Sequence, residues 1–307
     1  MALTLAEAEK LSNDVLLQGV IETIIKDSPI LQALPFIQIV GNGLTYTQEK
    51  TLPTVDFYDV GDTWVESTPE FNKPTATLKI LGGDADVDNF LKSTRSNIQD
   101  LEAAVIEQKA KALRHEFEKQ FLYGNKTTSP KQFDGIIKLI DTATASDQLI
   151  AMAAAGAVLT LAKIDELIDA VKGGKPDMLL MSRRSRRKIQ ALARAAGSNL
   201  EVGEGKLGDF VQLYNGIPIA ISDWISDAHT VAASVETLYT GSTCSTIYAL
   251  SFGEGALCGI SSPEMLQVER IGSLETKDAS RTRVKWYVAL CLFSAVKAAA
   301  LIGVKDA

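Results

Sequence analysis

The chain has 307 residues, enough to bury a sizeable core in roughly one to three domains. Its formal net charge of −7 excludes nucleic-acid wrapping by a generally basic surface. The three cysteines, Cys244, Cys258 and Cys291, lack any C-x-x-C spacing, and the two histidines, His115 and His229, are too few for a multi-histidine metal centre.

In chain order, Leu3 to Ile25 carries the apolar spacing of a helix, with Pro29 predicted to stop it. From Gly43 to Phe90 the character changes. Leu44–Thr47 and Thr75–Leu81 read as strands, joined by about thirty residues containing Pro53, Gly61, Pro69 and Pro74. A loop of that length is uncommon inside a compact domain, and a lone two-stranded ribbon is marginal in water. The segment is therefore expected to be an extended hairpin that rests on another surface. Phe57, Tyr58, Trp64 and Phe71 are the candidate anchors, with Asp59, Asp62 and Glu66 beside them; the competing reading has the aromatics cover the subunit's own core. Asp84, Asp86 and Asp88 begin like a calcium loop. Asn89 and Arg95, however, stand where that loop needs Gly and Glu, so a solvated or partner-facing acidic strand is the favoured reading.

Ser93 to Tyr123 is predicted to be one long helix of about 45 Å, capped by Ser93 or Thr94 and ended by a left-handed turn at Gly124-Asn125. Ile98, Leu101, Val105, Ala112, Leu113, Phe117 and Phe121 form its apolar stripe, and Glu118 falls on the polar side. A helix follows at Leu161–Lys172 with Thr160 as cap, then a buried strand in Pro176–Met181 and a helix from Arg183 to Ala196. Another strand spans Gly216–Ser222, and two short ones are expected in Ser245–Ile260. This alternation describes a compact α/β region. Met265–Arg270 and Arg281–Val288 alternate as half-buried antiparallel strands. The run from Trp286 to Val304 is the most membrane-like, but Lys297 inside it favours buried strands or a buried helix, and no membrane association is expected.

Motifs for chemistry are weak. Gly203-Glu-Gly205-Lys-Leu-Gly208 fits a dinucleotide fingerprint in letters, but a strand near Gly216 leaves little room for the required helix, so a flexible loop is expected. Asp227-x-His229 has no marked nucleophile. No enzyme activity, cofactor or metal is predicted. Arg183, Arg184, Arg186, Arg187 and Lys188 form the one dense basic cluster; solvated surface, intersubunit ion pairs and phosphate contacts all remain open.

The ordered set of these elements resembles the major capsid protein of tailed bacteriophages, the HK-ninety-seven-type fold. The resemblance implies an α+β subunit: an N-terminal arm at 1–42, an extended β-hairpin loop with its connecting strand at 43–92, and a peripheral-domain spine helix at 93–132. It further implies an axial α/β domain at 133–262, returning peripheral strands at 263–293 and a segment back to the axial domain at 294–307. Phe133-Asp-Gly-Ile-Ile, the strand–helix–strand from Pro176 to Asp223, and Arg281–Tyr287 carry the resemblance.

It implies a shell of pentamers and hexamers around double-stranded DNA held without sequence specificity, assembled in a host bacterial cytoplasm and carried in the virion. Portal, decoration and scaffolding proteins are the implied partners; the short arm implies that the scaffold is a separate protein, or a segment already removed. The intersubunit contact candidates are then Phe57, Tyr58, Trp64, Phe71, Asp59, Asp62, Glu66 and the four arginines 183, 184, 186 and 187. Some members cross-link a loop lysine to a peripheral asparagine. Lys50 and Lys73 are available here, but no asparagine follows Asn215, so no cross-link is expected. An encapsulin-type protein compartment shares this fold and is the alternative.

Overall fold

The computed structural model describes residues 28–51, 53–95, 101–142, 147–153, 156–197, 200–204, 210–227 and 244–305. The expected helix at Leu3–Ile25, together with Ile98, lies outside them. Pro29 opens a short helix of its own. Pro29–Ala33 (α1) has Ser28 as its cap, and a proline at the first helical position sacrifices no intrahelical hydrogen bond. Ile30 and Leu34 of this segment are buried in the main core.

Strand Phe36–Gln38 (β1) then leads to the hairpin. Its root pairs Gly43–Thr45 (β2) with Thr75–Thr77 (β5), and a second short ladder pairs Gln48–Thr51 (β3) with Glu70–Asn72 (β4). The chain leaves the hairpin through Lys79–Asp88 (β6), followed by helix Asn89–Arg95 (α2) and the main helix Leu101–Tyr123 (α3).

The predicted start of the long helix is corrected: residues 93–95 lie within α2, which begins at Asn89, and residues 96–100 lie outside the described residues. The Asp88 carboxylate, not Ser93 or Thr94, accepts the amides of Phe90 and Leu91, while both hydroxyls donate to the Phe90 carbonyl inside the turn. The described helix Leu101–Tyr123 is 23 residues, or about 34 Å. Val105, Leu113, Phe117 and Phe121 are buried as expected; Ala112 is exposed, and Glu118 is buried rather than on the polar face. Gly124 does not adopt a left-handed conformation. A side chain there would collide with the carbonyls of Phe133 and Gln120, so glycine permits the chain after α3 to pass close by.

Among the described residues there are two principal sheets. The first has the order β1, Leu257–Ser273 (β14), Ala279–Leu292 (β15), β6. β14 is one strand of 17 residues, where two separate strands were expected around Pro263. The register shift between Ser261 and Leu266 absorbs the proline, which cannot donate to the ladder.

The second sheet is the α/β region. Its order is Glu201–Glu204 (β10), Phe210–Tyr214 (β11), Ile217–Ile221 (β12), Met178–Met181 (β9), Cys244–Leu250 (β13), Ala298–Lys305 (β16) and Leu149–Ala151 (β7), with Ala157–Val158 (β8) also pairing β16. β9 and β12 are parallel, with helix Arg183–Ala195 (α6) and the β10–β11 pair between them in the chain, while Ile136–Thr142 (α4) and Leu161–Ala170 (α5) complete the helices of this region. Gly203 lies in strand β10 rather than a loop, paired antiparallel with β11, which begins at Phe210; Gly205 and Gly208 lie outside the described residues.

The main core joins both sheets through α3 and α4. Phe117, fully buried, has its ring centre 4.8 Å from that of Trp286, 5.9 Å from Phe133 and 6.2 Å from Phe36. β1 approaches closely because Gly259 leaves room for the Phe36 ring. A second core lies between α5, α6 and the other side of the α/β sheet.

Candidate functional site

The hairpin tip, residues 53–69, is held by its own polar contacts. The Asp59 amide donates to the Asp62 carboxylate at 2.7 Å, and Gly61 takes a φ of 99° in the turn between them. Tyr58 and Trp64 stack with ring centres 4.5 Å apart, and the Val65 amide donates to the Tyr58 hydroxyl. Ser67 accepts the Thr54 amide across the two limbs.

This ordering does not hide apolar surface. Trp64 remains 78% exposed and Phe57 fully exposed; Phe71 is also exposed, and Tyr58 is half-buried against Trp64. The chain's own core therefore does not cover these aromatics. Val55, Val60 and Val65 add exposed apolar surface that the sequence reading passed over because single valines in a loop carry no pattern. Asp56, Asp59, Asp62 and Glu66 are exposed around them. The tip thus exposes apolar and acidic side chains together.

The root of the hairpin is tied to the subunit. Gln48, buried, donates from Nε2 to the Leu292 carbonyl at 2.6 Å, and the Tyr46 ring packs edge-on against Phe293. Lys79 reaches the Pro130 carbonyl.

The acidic strand is not a solvated face. Arg281 grips Asp86 through two hydrogen bonds of 2.6 and 2.7 Å, and Arg283 grips Asp84 through two of 2.7 and 3.0 Å. These residues are directly opposite on β15 and β6, so the pleat puts both pairs on one face. The guanidinium bonds use the carboxylate oxygens that a calcium ion would need, and Asp88 is engaged in capping.

The Arg283 hydrogen bond holds Asp84 below its ordinary pKa of 3.8, and the Arg281 hydrogen bond does the same for Asp86, in each case against the opposing effect of desolvation. Stability from these pairs is present above the unfolded-state carboxylate pKa and lost as pH falls through the folded one. Asp86, with only 5% of its side chain exposed, should dominate over the more solvated Asp84 pair. The thermal midpoint should fall between about pH 5 and pH 3, and Asp86→Asn should reduce that dependence; an unchanged acid limb in the variant would remove the ladder as its cause.

The basic helix start is also largely engaged within the chain. Arg183 bonds Asp223 at 2.7 and 3.2 Å, Arg184 lies 3.5 Å from Asp227, and Arg186 reaches Gln212 at 3.4 Å. Arg187 is exposed. Asp227 also accepts the Ser182 hydroxyl, the cap of α6, at 2.6 Å. His229 lies outside the described residues, and His115 packs on Trp224. The structure thus separates the predicted contact residues into a projecting hairpin group and an α6 group.

A phage capsid family model matches residues 11–249, most of the chain. The chain belongs to the phage capsid family. As a member of that family it is a structural shell protein rather than an enzyme. Its fold is of the HK-ninety-seven type, and solved structures agree. It is similar to a chain of the holo-SrpI encapsulin complex from Synechococcus elongatus PCC 7942, with a TM-score of 0.69 and 16% identity over 99% of this chain and 97% of that one. It is similar to a Mycobacterium phage Bobi chain, with a TM-score of 0.64 and 16% identity over 100% of both. Similarity to the capsid of a native GTA particle has a TM-score of 0.63 and 14% identity over 95% and 99% of the two chains. No curated protein matches the sequence.

Proposed function

We propose that this capsid protein is the major shell subunit of a tailed bacteriophage, assembling through pentamers and hexamers into an icosahedral container for double-stranded DNA. The observation that carries the reading is the projecting hairpin, preformed and apolar at its tip yet uncovered by its own chain. A tip that fits a different surface of the next copy makes a heterologous contact, and such contacts close into rings and shells. In this reading Phe57, Tyr58, Trp64 and Phe71 anchor the hairpin on a neighbour, and Asp59, Asp62 and Glu66 meet its basic side chains. Arg183, Arg184, Arg186 and Arg187 face subunits around the capsomer centre. The shell rests on noncovalent contacts. A separate scaffolding protein, a portal and a decoration protein complete the particle, which is assembled in the host cytoplasm.

Negative-stain electron microscopy of the purified chain, with and without a co-expressed scaffold, tests this. Closed shells, or free pentamers and hexamers, are expected; a monomer under every condition would sink the proposal. The fold similarity to an encapsulin over 99% of the chain favours a second reading, a protein-filled nanocompartment. Nuclease-protected DNA inside purified shells separates the phage reading from one in which only protein cargo is found.

A further inference from the structure

Cys258 on β14 and Cys291 on β15 stand directly opposite each other. Both are free thiols and both are fully buried. Opposed residues in an antiparallel pair point to one face with Cα atoms about 4.5–5.5 Å apart. A disulfide spans about 4.4–6.8 Å between Cα atoms. The backbone therefore already stands where a disulfide needs it.

The two thiols lie close enough to influence each other electrostatically, and so do the Tyr46 hydroxyl and the Cys291 thiol. With Ile260, these three residues form a separate small cluster beneath the hairpin root. Tyr46 also lines two clefts of about 80 and 350 Å³, one touching Leu290 and the other Leu292, the chain neighbours of Cys291. A reagent little larger than water thus comes within one side chain of the pair.

We propose that Cys258 and Cys291 are an oxidisable pair that closes into an intrachain disulfide with hydrogen peroxide, stapling β14 to β15 beneath the root of the hairpin. Cys258 attacks first. The adjacent Cys291 thiol holds that of Cys258 below the ordinary range, while Cys258 and burial push the Cys291 thiol up. The Cys258 thiolate takes one oxygen of the peroxide, the O–O bond breaks, and the departing hydroxide takes up the proton Cys258 released. The Cys291 sulfur then attacks the sulfur of the resulting sulfenic acid. The S–O bond breaks, and hydroxide leaves with the Cys291 proton as water. Two thiols and one peroxide give one disulfide and two waters, the sulfurs losing the two electrons that the peroxide gains. Tyr46 packs in the same small cluster as the pair, so the change is felt at the hairpin root.

The test exposes the reduced full chain to hydrogen peroxide, then unfolds it with an alkylating reagent for peptide mass spectrometry; a parallel sample is melted. Expected are a linked pair of peptides carrying Cys258 and Cys291, an alkylated Cys244, and a midpoint raised by roughly 5–10 °C that dithiothreitol reverses. Cys291→Ser should show no rise and accumulate oxidised Cys258. Full alkylation of all three cysteines, under peroxide that consumes a free cysteine peptide in the same tube, would overturn the proposal. So would Cys258 reaching sulfinic acid in the native chain without a link, a link only between chains, or a link without a rise in midpoint.

Discussion

Replacing Phe57 and Trp64 together by alanine should abolish shell assembly while leaving a folded subunit. Both rings are exposed in the isolated chain, so their loss opens no cavity in the subunit core. The expected change in subunit stability is within about 1 kcal/mol, the worth of the Tyr58–Trp64 stack. In an assembled shell the same rings would be central and desolvated. Aromatic anchors of that kind each contribute about 2–4 kcal/mol to an interface. Every subunit would lose its pair, so the deficit repeats at each contact of a closed ring. Sedimentation and electron microscopy should find unassembled subunits, and thermal melting should find a midpoint near that of unassembled wild type. Shells formed in normal yield and with normal stability would rule these two residues out as anchors.

Phe117→Ala should do the opposite: it should damage the subunit itself. Phe117 joins α3 to β1, to β15 and to the segment entering the α/β region, through Phe36, Trp286 and Phe133. Removing a fully buried ring costs about 3–5 kcal/mol in lost transfer energy and residual cavity. The midpoint should fall by roughly 10 °C, measured on unassembled protein. A loss below about 1 kcal/mol would mean that the surrounding rings collapse into the space and that the residue is not a hub. The two experiments set like residues against each other: aromatic truncation at the tip acts on association, and in α3 on folding.

Local order was legible because it depends on neighbours in sequence. Thr160 caps its helix as predicted, β9 and β12 lie where apolar runs placed them, and Val105, Leu113, Phe117 and Phe121 share the buried side of α3. The hairpin limbs and their long connection were equally readable, since alternation and proline spacing are local signals. The ordered series of elements carried the family resemblance that the family model bears out.

What sequence alone could not supply were partners far apart in the chain. Asp84 and Asp86 looked like a solvated or partner-facing acidic strand because Arg283 and Arg281 are almost two hundred residues away; only the β6–β15 register joins them. Asp88 looked like their companion until the chain turned into α2 and made it a cap. Arg183 and Arg184 read as solvated, intersubunit or phosphate-contacting charge until Asp223 and Asp227 of the same chain closed on them. Glu118 took the polar side by periodicity but is buried, because more than one side of α3 is covered. Whether the aromatics between Pro53 and Phe71 lined a core or faced outward depended on where the hairpin pointed, and composition does not encode direction. The sequence by itself determined the elements, their order and the family, all of which follow from local propensity and periodic burial. The tertiary structure decided which charges are neutralised and which apolar residues remain exposed, because both depend on contacts between segments distant in the chain.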